Sequence, residues 1–235
     1  MLKAVFFDLG HTLTREVNVS KRIETLLKPY NLNWKRFHSC WKNLYFLRSM
    51  GKISSDREMF SLLERILERK NMPLQEIKDI IIFESHIIPE KNIKIIKEVK
   101  KKYKVGLITN FVHEWIEKIF KTKGIHDLFD FVLVSSEIGV RKPNAEIFYI
   151  ALKQFSIRPD EAVFVSDDFS SDLICAKGCG IKTIWLDKGS KNKWKKKERE
   201  IAKIFKPDAV IKSLKELKRK IKELEEKLRE KEEKI

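Results

Sequence analysis

The residues with the most chemical potential are carboxylates, hydroxyls and a lysine, each placed just after a short apolar run. Ala4-Val5-Phe6-Phe7 leads into Asp8, and Leu9-Gly10-His11-Thr12-Leu13 turns away from it. Lys104-Val105-Gly106-Leu107-Ile108 leads into Thr109-Asn110. Phe131-Val132-Leu133-Val134 leads into Ser135-Ser136 and then Arg141-Lys142-Pro143. Ala162-Val163-Phe164-Val165 leads into Ser166-Asp167-Asp168, with Asp172 shortly beyond. An Asp at the end of a buried strand needs a cation, a substrate or a hydrogen-bond donor beside it, because an unpaired buried carboxylate is costly. A carboxylate can also act as a nucleophile, and it reaches an anionic centre only where positive charge screens the two.

Taken singly, each residue has a plainer reading. Asp8 suits a turn or helix cap, Thr109 and Asn110 suit a cap, Lys142 suits a surface, and Asp167, Asp168 and Asp172 suit a charged helix start. The elements around them change the weighing. Short β-rich apolar runs read as strands of a parallel sheet buried on both faces. Open sheets of this kind bind ligands at the carboxyl ends of their strands. Helical periodicity fills the intervals: Ile93, Ile95, Ile96 and Val99; Trp115, Ile116, Ile119 and Phe120; Ile147, Phe148, Ile150, Ala151 and Leu152. Helices alternating with strands cover such a sheet.

In this order the segments resemble the haloacid dehalogenase superfamily of hydrolases, from the first strand to about Trp185. The family's Asp-x-Asp-x-Thr stands here as Asp8-Leu9-Gly10-His11-Thr12, with Gly10 where the second Asp would be. Its Ser/Thr motif is matched by Thr109, its lysine by Lys142 before Pro143, and its acidic pair by Asp167 and Asp172. The resemblance implies an α/β fold, a Rossmann-like parallel-sheet core with an inserted all-helical cap. It implies a Mg²⁺-dependent phosphatase of small organophosphates that passes through an aspartyl-phosphate. Asp8 would then be nucleophile and metal ligand, with the Gly10 carbonyl and Asp167 as further ligands. Thr109, Asn110 and the following helix start would bind phosphate oxygens, and Lys142 would bridge Asp8 and the phosphoryl group. Thr12, Asp168 and Asp172 would support them, Asp168 being the stand-in for Asp167.

Gly10 removes the family's general acid/base. The resemblance then implies slow turnover, a preference for good leaving groups, or a proton-transfer group from the cap; His11 stands next door, and histidine is a common proton-transfer side chain. Two further readings follow. Family 2-haloacid dehalogenases also lack the second Asp and need no metal, but adjacent Asp167 and Asp168 would repel without a cation. A catalytically weak binding module would act through the basic tail, where Trp194 lies in a lysine run compatible with nucleic acid. Substrate choice is expected on the cap, with Arg48 first among Trp41, Tyr45, Arg48 and Lys52.

The organisation expected is a core over residues 1–15 and 89–211, a helical cap over 16–88 and a charged C-terminal helix over 212–235. The cap shows Ile23, Leu26 and Leu27 on one face, an aromatic stripe of Trp34, Phe37, Trp41, Leu44 and Tyr45, a third face of Phe60, Leu63, Ile66 and Leu67, and a helix start at Pro73. In the tail, Leu214, Leu217, Ile221, Leu224 and Leu228 recur at spacings of three and four, a heptad seam. Its first half is expected to pack on the core. The part beyond about Glu225 is expected to project, to fray or to pair with a second subunit, and the protein is read as a monomer or homodimer.

Composition sets the outer bounds. The 235 residues carry a formal net charge of +16, with lysine and glutamate abundant, a balance compatible with a thermophile surface. No apolar run is long enough to cross a bilayer, and the chain enters a strand almost at once, so a cytoplasmic protein without a secretory leader is expected. The cysteines Cys40, Cys175 and Cys179 are expected as reduced, buried thiols. The partner expected is a small phosphorylated metabolite, not a membrane or a nucleic acid.

Overall fold

The computed structural model describes residues 1–15, 17–189 and 193–232, with backbone alone at 193, 194, 231 and 232. Glu16, with which the expected cap begins, and the Trp194 side chain lie outside the described residues. The strands are β1 (Ala4–Phe7), β2 (Lys104–Thr109), β3 (Phe131–Val134), β4 (Ala162–Ser166), β5 (Lys182–Leu186) and β6 (Ala209–Ile211). They form one six-stranded sheet in the order β3-β2-β1-β4-β5-β6, and every pairing is parallel. The Rossmann-like α/β class read from the sequence is thus the one observed. β6 was not foreseen, because Ala209-Val210-Ile211 is too short for a periodic signal.

The register puts the strand ends level. Phe7 lies beside Leu107 and Val165, so the residue after it, Asp8, emerges between the ends of β2 and β4. Alternation along the strands separates two cores. Val5, Phe7, Val105, Leu107, Val163 and Val165 belong to one; Ala4, Phe6, Ile108, Ala162 and Phe164 belong to the other. Gly106 is required by the second: an added Cβ would meet the Phe6 ring at 2.5 Å. The space is taken by Phe6 stacked on Phe155, with ring centroids 5.4 Å apart.

Between β1 and the helix preceding β2 lie α1 (Ser20–Leu27), α2 (Trp34–Arg48), α3 (Asp56–Leu67) and α4 (Leu74–Asp79), the last continued by a wider turn over Ile80–Glu84. Side-chain caps define two starts: Asn33 accepts from the Arg36 N–H, and Ser55 accepts from the Glu58 N–H. Phe37, Trp41 and Leu44 of the aromatic stripe are buried, and Trp41 stacks on Trp115 at 6.4 Å.

The remaining helices cover the sheet: α5 (Glu90–Lys100), α6 (His113–Lys123), α7 (Ser135–Ile138), α8 (Glu146–Phe155), α9 (Ile174–Gly178), α10 (Lys193–Ile204) and α11 (Leu217–Glu232). Leu214, Leu217, Ile221 and Leu224 are buried in the core, and Leu228 packs against it. The tail therefore stays on the core past Glu225, further than expected. Glu225 itself is buried, held by Lys102 at 2.6 Å and the Tyr103 hydroxyl at 3.0 Å. All the cysteines are free thiols, but only Cys179 is buried; Cys40 and Cys175 are half-buried. Among the described residues no helix is long and apolar enough to cross a membrane.

Candidate active site

One cleft of about 770 Å³ opens over the carboxyl ends of the strands. The core contributes Asp8, Gly10, Thr109, Asn110, Lys142, Asp167, Asp168 and Asp172 to its lining, and α2 contributes Lys42, Tyr45 and Phe46 from the cap. The segments singled out in the sequence thus converge although positions 8 and 172 are far apart in the chain. The cause is topological: parallel strands all end on one side of the sheet.

Lys142 is the hub. Its ammonium lies 2.6 Å from Asp8 Oδ1 and 2.8 Å from Asp172 Oδ2, and its side chain is almost wholly buried. Ser166 also donates to Asp172 Oδ2, at 2.7 Å. Burial alone would lower the lysine's pKa, but Asp172 and Asp8 together hold it well above the ordinary value. The acids are pulled the other way. Burial raises Asp8, against Lys142, and Asp167 adds to the rise. Burial likewise pushes Asp172 up to about 7, opposed by Lys142 and reinforced by Asp8 and Asp168. Burial is the larger cause for both acids, and one ammonium shared between them does not offset it.

Thr12 joins the acids of β1 and β4. Its hydroxyl lies 3.1 Å from Asp8 Oδ2 and 3.2 Å from Asp167 Oδ1, and it accepts from the Asp167 N–H at 2.9 Å. A hydroxyl carries one proton, so it cannot satisfy both carboxylates at once. Asp168 is turned to a local task, its Oδ1 accepting from the Ser171 N–H at 2.8 Å. Asp167, not Asp168, is therefore the partner of Asp8.

Among the described residues no group of three or more His, Cys, Asp or Glu side chains is spaced to hold a metal. What converges is sparser: Asp8 and Asp167 across Thr12, with Gly10 on the same cleft. The Gly10 carbonyl accepts from the Thr12 N–H at 2.5 Å and keeps a second lone pair. Such a donor set fits Mg²⁺, which takes one or two carboxylates, retains several waters and shares phosphate oxygens.

Other expected residues are placed differently. Asn110 lines the cleft, but its amide is spent on Lys142: Nδ2 donates to the Lys142 carbonyl at 3.0 Å and Oδ1 accepts from the Lys142 N–H at 2.9 Å. It positions the lysine. Thr109, 3 % exposed at the end of β2, lines the cleft. Arg48 does not reach it. The side chain is 5 % exposed and its guanidinium is held by the Ile53 carbonyl at 3.1 Å and Glu114 at 3.0 Å, with Asp56 at 3.7 Å. A long cation at the end of α2 is captured by acids at the joint of cap and core. Trp41 is buried in the stripe, and Lys52 lies outside the cleft lining. Of the cap residues weighed, Tyr45 alone lines it, its hydroxyl donating to the Asn110 carbonyl at 2.8 Å.

Several cleft residues carried no individual signal in the sequence. Lys195 of α10 lies 3.1 Å from Asp167 Oδ2 and 2.9 Å from Glu198 Oε2, yet in a lysine run nothing marks which lysine turns inward. Arg141 stacks over Phe46 at 4.7 Å and hydrogen-bonds Ser49; its neighbour Lys142 was the only hint. His86, at the end of the cap, lines the cleft as well.

The haloacid dehalogenase-like hydrolase family model matches residues 7–186. A glyceraldehyde 3-phosphate phosphatase of Pyrococcus furiosus is 31% identical over 203 residues, spanning 80% of this chain and 82% of its own. An L-2-haloacid dehalogenase of Xanthobacter autotrophicus with chloropropionic acid covalently bound superposes with a TM-score of 0.67 at 18% identity, over 94% of this chain and 99% of that one. A HAD family enzyme of Bacteroides thetaiotaomicron in complex with magnesium and inorganic phosphate superposes with a TM-score of 0.65 at 19% identity, over 82% of this chain and 98% of that one.

Proposed function

Because the chain belongs to the haloacid dehalogenase-like hydrolases, we propose that it is a Mg²⁺-dependent phosphatase of small organophosphates that works through an aspartyl-phosphate on Asp8. The observation that carries this reading is the Lys142 ammonium between Asp8 and Asp172, with Asp167 facing Asp8 across Thr12. A relative at 31% identity that hydrolyses a small phosphate ester supports it.

Phosphoryl transfer is governed by placement and by stabilisation of charge on the oxygens. Asp8 attacks phosphorus in line and the ester oxygen leaves. Lys142 screens the approach of carboxylate and phosphoryl group, and Asp172 and Asn110 hold Lys142 in place. Thr109 lies on the cleft where a phosphate oxygen would sit. Asp8, Asp167 and the Gly10 carbonyl would hold Mg²⁺, which supplies further charge neutralisation to the phosphoryl oxygens. Gly10 offers no acid to the leaving oxygen, so the first step favours esters whose leaving group departs without a proton. Lys42 of α2 and Arg141, stacked on Phe46 of α2, line the cleft and would meet an anionic or hydroxylated substrate tail.

The 2-haloacid dehalogenase reading draws on shared fold alone, and it leaves Asp167 beside Asp8 with no purpose. The test sets phosphate release from an aryl phosphate and from glyceraldehyde 3-phosphate, with Mg²⁺ and with EDTA, beside chloride release from 2-chloropropionate. Phosphate release lost in EDTA and in Asp8→Asn is expected. Halide release indifferent to EDTA would replace this reading with the other.

A further inference from the structure

The hydrolysis of an aspartyl-phosphate needs a base for its attacking water, and position 10 has no side chain to provide one. An added Cβ at Gly10 would meet nothing within 4 Å, so the cleft is open at position 10, and Gly10 and Asp8 line it together. Among the described groups on the cleft, the strong cations are poor proton acceptors. Lys142 is locked to two acids, Lys195 is paired with Asp167 and Glu198, and burial lifts the Tyr45 phenol far above neutrality. Asp172 and Asp168 are engaged with Lys142 and the Ser171 N–H.

Resting on the phosphatase reading, we propose that His86 is the general base for the second half-reaction, taking the place of the absent carboxylate at position 10. Its imidazole lines the same cleft as Asp8 and Gly10. Nδ1 lies 2.8 Å from the Ile82 carbonyl. A carbonyl can only accept, so Nδ1 carries the proton and Nε2 the lone pair, which is the tautomer a base requires. The ring is oriented by Phe111, edge-on at 4.8 Å with an interplanar angle of 61°. Burial lowers its pKa to about 4, with the Ile82 carbonyl and Asp8 opposing and His11 assisting, so the imidazole is neutral at pH 7. His11 also lines the cleft but stands on its exposed lip.

Water oxygen bonds to phosphorus while Nε2 takes one water proton. The bond from phosphorus to the Asp8 oxygen breaks, and its electron pair returns to the Asp8 carboxylate. Phosphate leaves, and the imidazolium passes its proton to phosphate or solvent. A neutral imidazole cannot protonate the leaving oxygen of the first step, so His86 assists the second half-reaction only.

The experiment uses 4-nitrophenyl phosphate with Mg²⁺ in a stopped-flow, together with acid-quench trapping of phosphate on the protein. In His86→Asn the side-chain amide keeps a donor toward the Ile82 carbonyl and removes the base. Expected is a nitrophenolate burst near one per site at an unchanged rate, steady turnover about 10²–10⁴-fold lower, and accumulation of trapped phosphoprotein. The wild type should develop the same burst as pH falls toward the range where the imidazole protonates, a measurement that needs no variant to fold. Wild-type turnover without a burst in His86→Asn, or equal loss of burst rate and turnover, would overturn the assignment. So would a burst in His11→Asn in place of His86→Asn. Failure to label wild type and His86→Asn alike, with no phosphate released by either, would instead overturn the phosphatase reading and this assignment with it.

Discussion

Restoring an acid at position 10 is the sharpest perturbation of this site. The Cβ of Gly10→Asp would stand in open space, with no atom within 4 Å. The new carboxyl would enter beside Asp8, Asp167 and Asp168, with Lys142 and Lys195 as the nearby cations. Like charges raise its pKa, which suits an acid that must hold a proton at neutral pH. They also weaken binding of a phosphate dianion, so the gain belongs at the low end of the range for a positioned acid, about 10²-fold or about 2.7 kcal/mol. The gain must depend on the leaving group. A nitrophenolate departs without a proton and should show little change; an alkyl phosphate should show the whole effect. The assay is kcat/KM across phosphate monoesters graded by leaving-group pKa, for wild type and Gly10→Asp, with thermal unfolding to confirm an intact fold. A steep wild-type dependence that flattens in the variant is expected. A folded variant with no gain, or with the same gain for every ester, would refute the idea that the first step lacks an acid.

Lys142→Met should abolish turnover and destabilise the fold by about 3–5 kcal/mol, since it strands Asp8 and Asp172 in a buried site; adding Asp172→Asn should recover part of the urea midpoint and none of the activity. Lys195→Gln should lower the Mg²⁺ concentration for half-maximal rate by up to about fivefold, because the ammonium and the metal compete for Asp167, as read from a Mg²⁺ titration. The pH dependence of stability has a defined sign at His86. Its folded pKa of about 4 lies below the unfolded value of 6.5, so as pH falls through this window the unfolded chain takes the proton first and stability drops. Asp172, raised to about 7, contributes the opposite slope in both proteins, so the urea midpoint of His86→Gln should rise relative to wild type as pH falls from 7 to 4, and a constant difference would contradict a neutral imidazole at this site.

The sequence by itself carried the sheet and the acids that crown it. The apolar runs that lead into Asp8, Thr109, Ser135 and Asp167 are all strands, whereas the run Ile80–Phe83 is helical, and a parallel sheet sends all its strand ends to one rim. Asp8, Thr109 and Asp167 needed only that rule to be brought together, and Lys142 followed from the turn after β3. Tertiary structure decided the rest. Arg48 carries the cation a substrate-facing cap residue would need, but Asp56 and Glu114 capture it. Asn110 lost its amide to the Lys142 backbone. Lys195 and His86 owe their places to helix α10 and to the end of the cap folding back over the rim. Which lysine of a run turns inward, and which histidine meets the cleft, depends on packing between segments distant in the chain, and no local pattern encodes that.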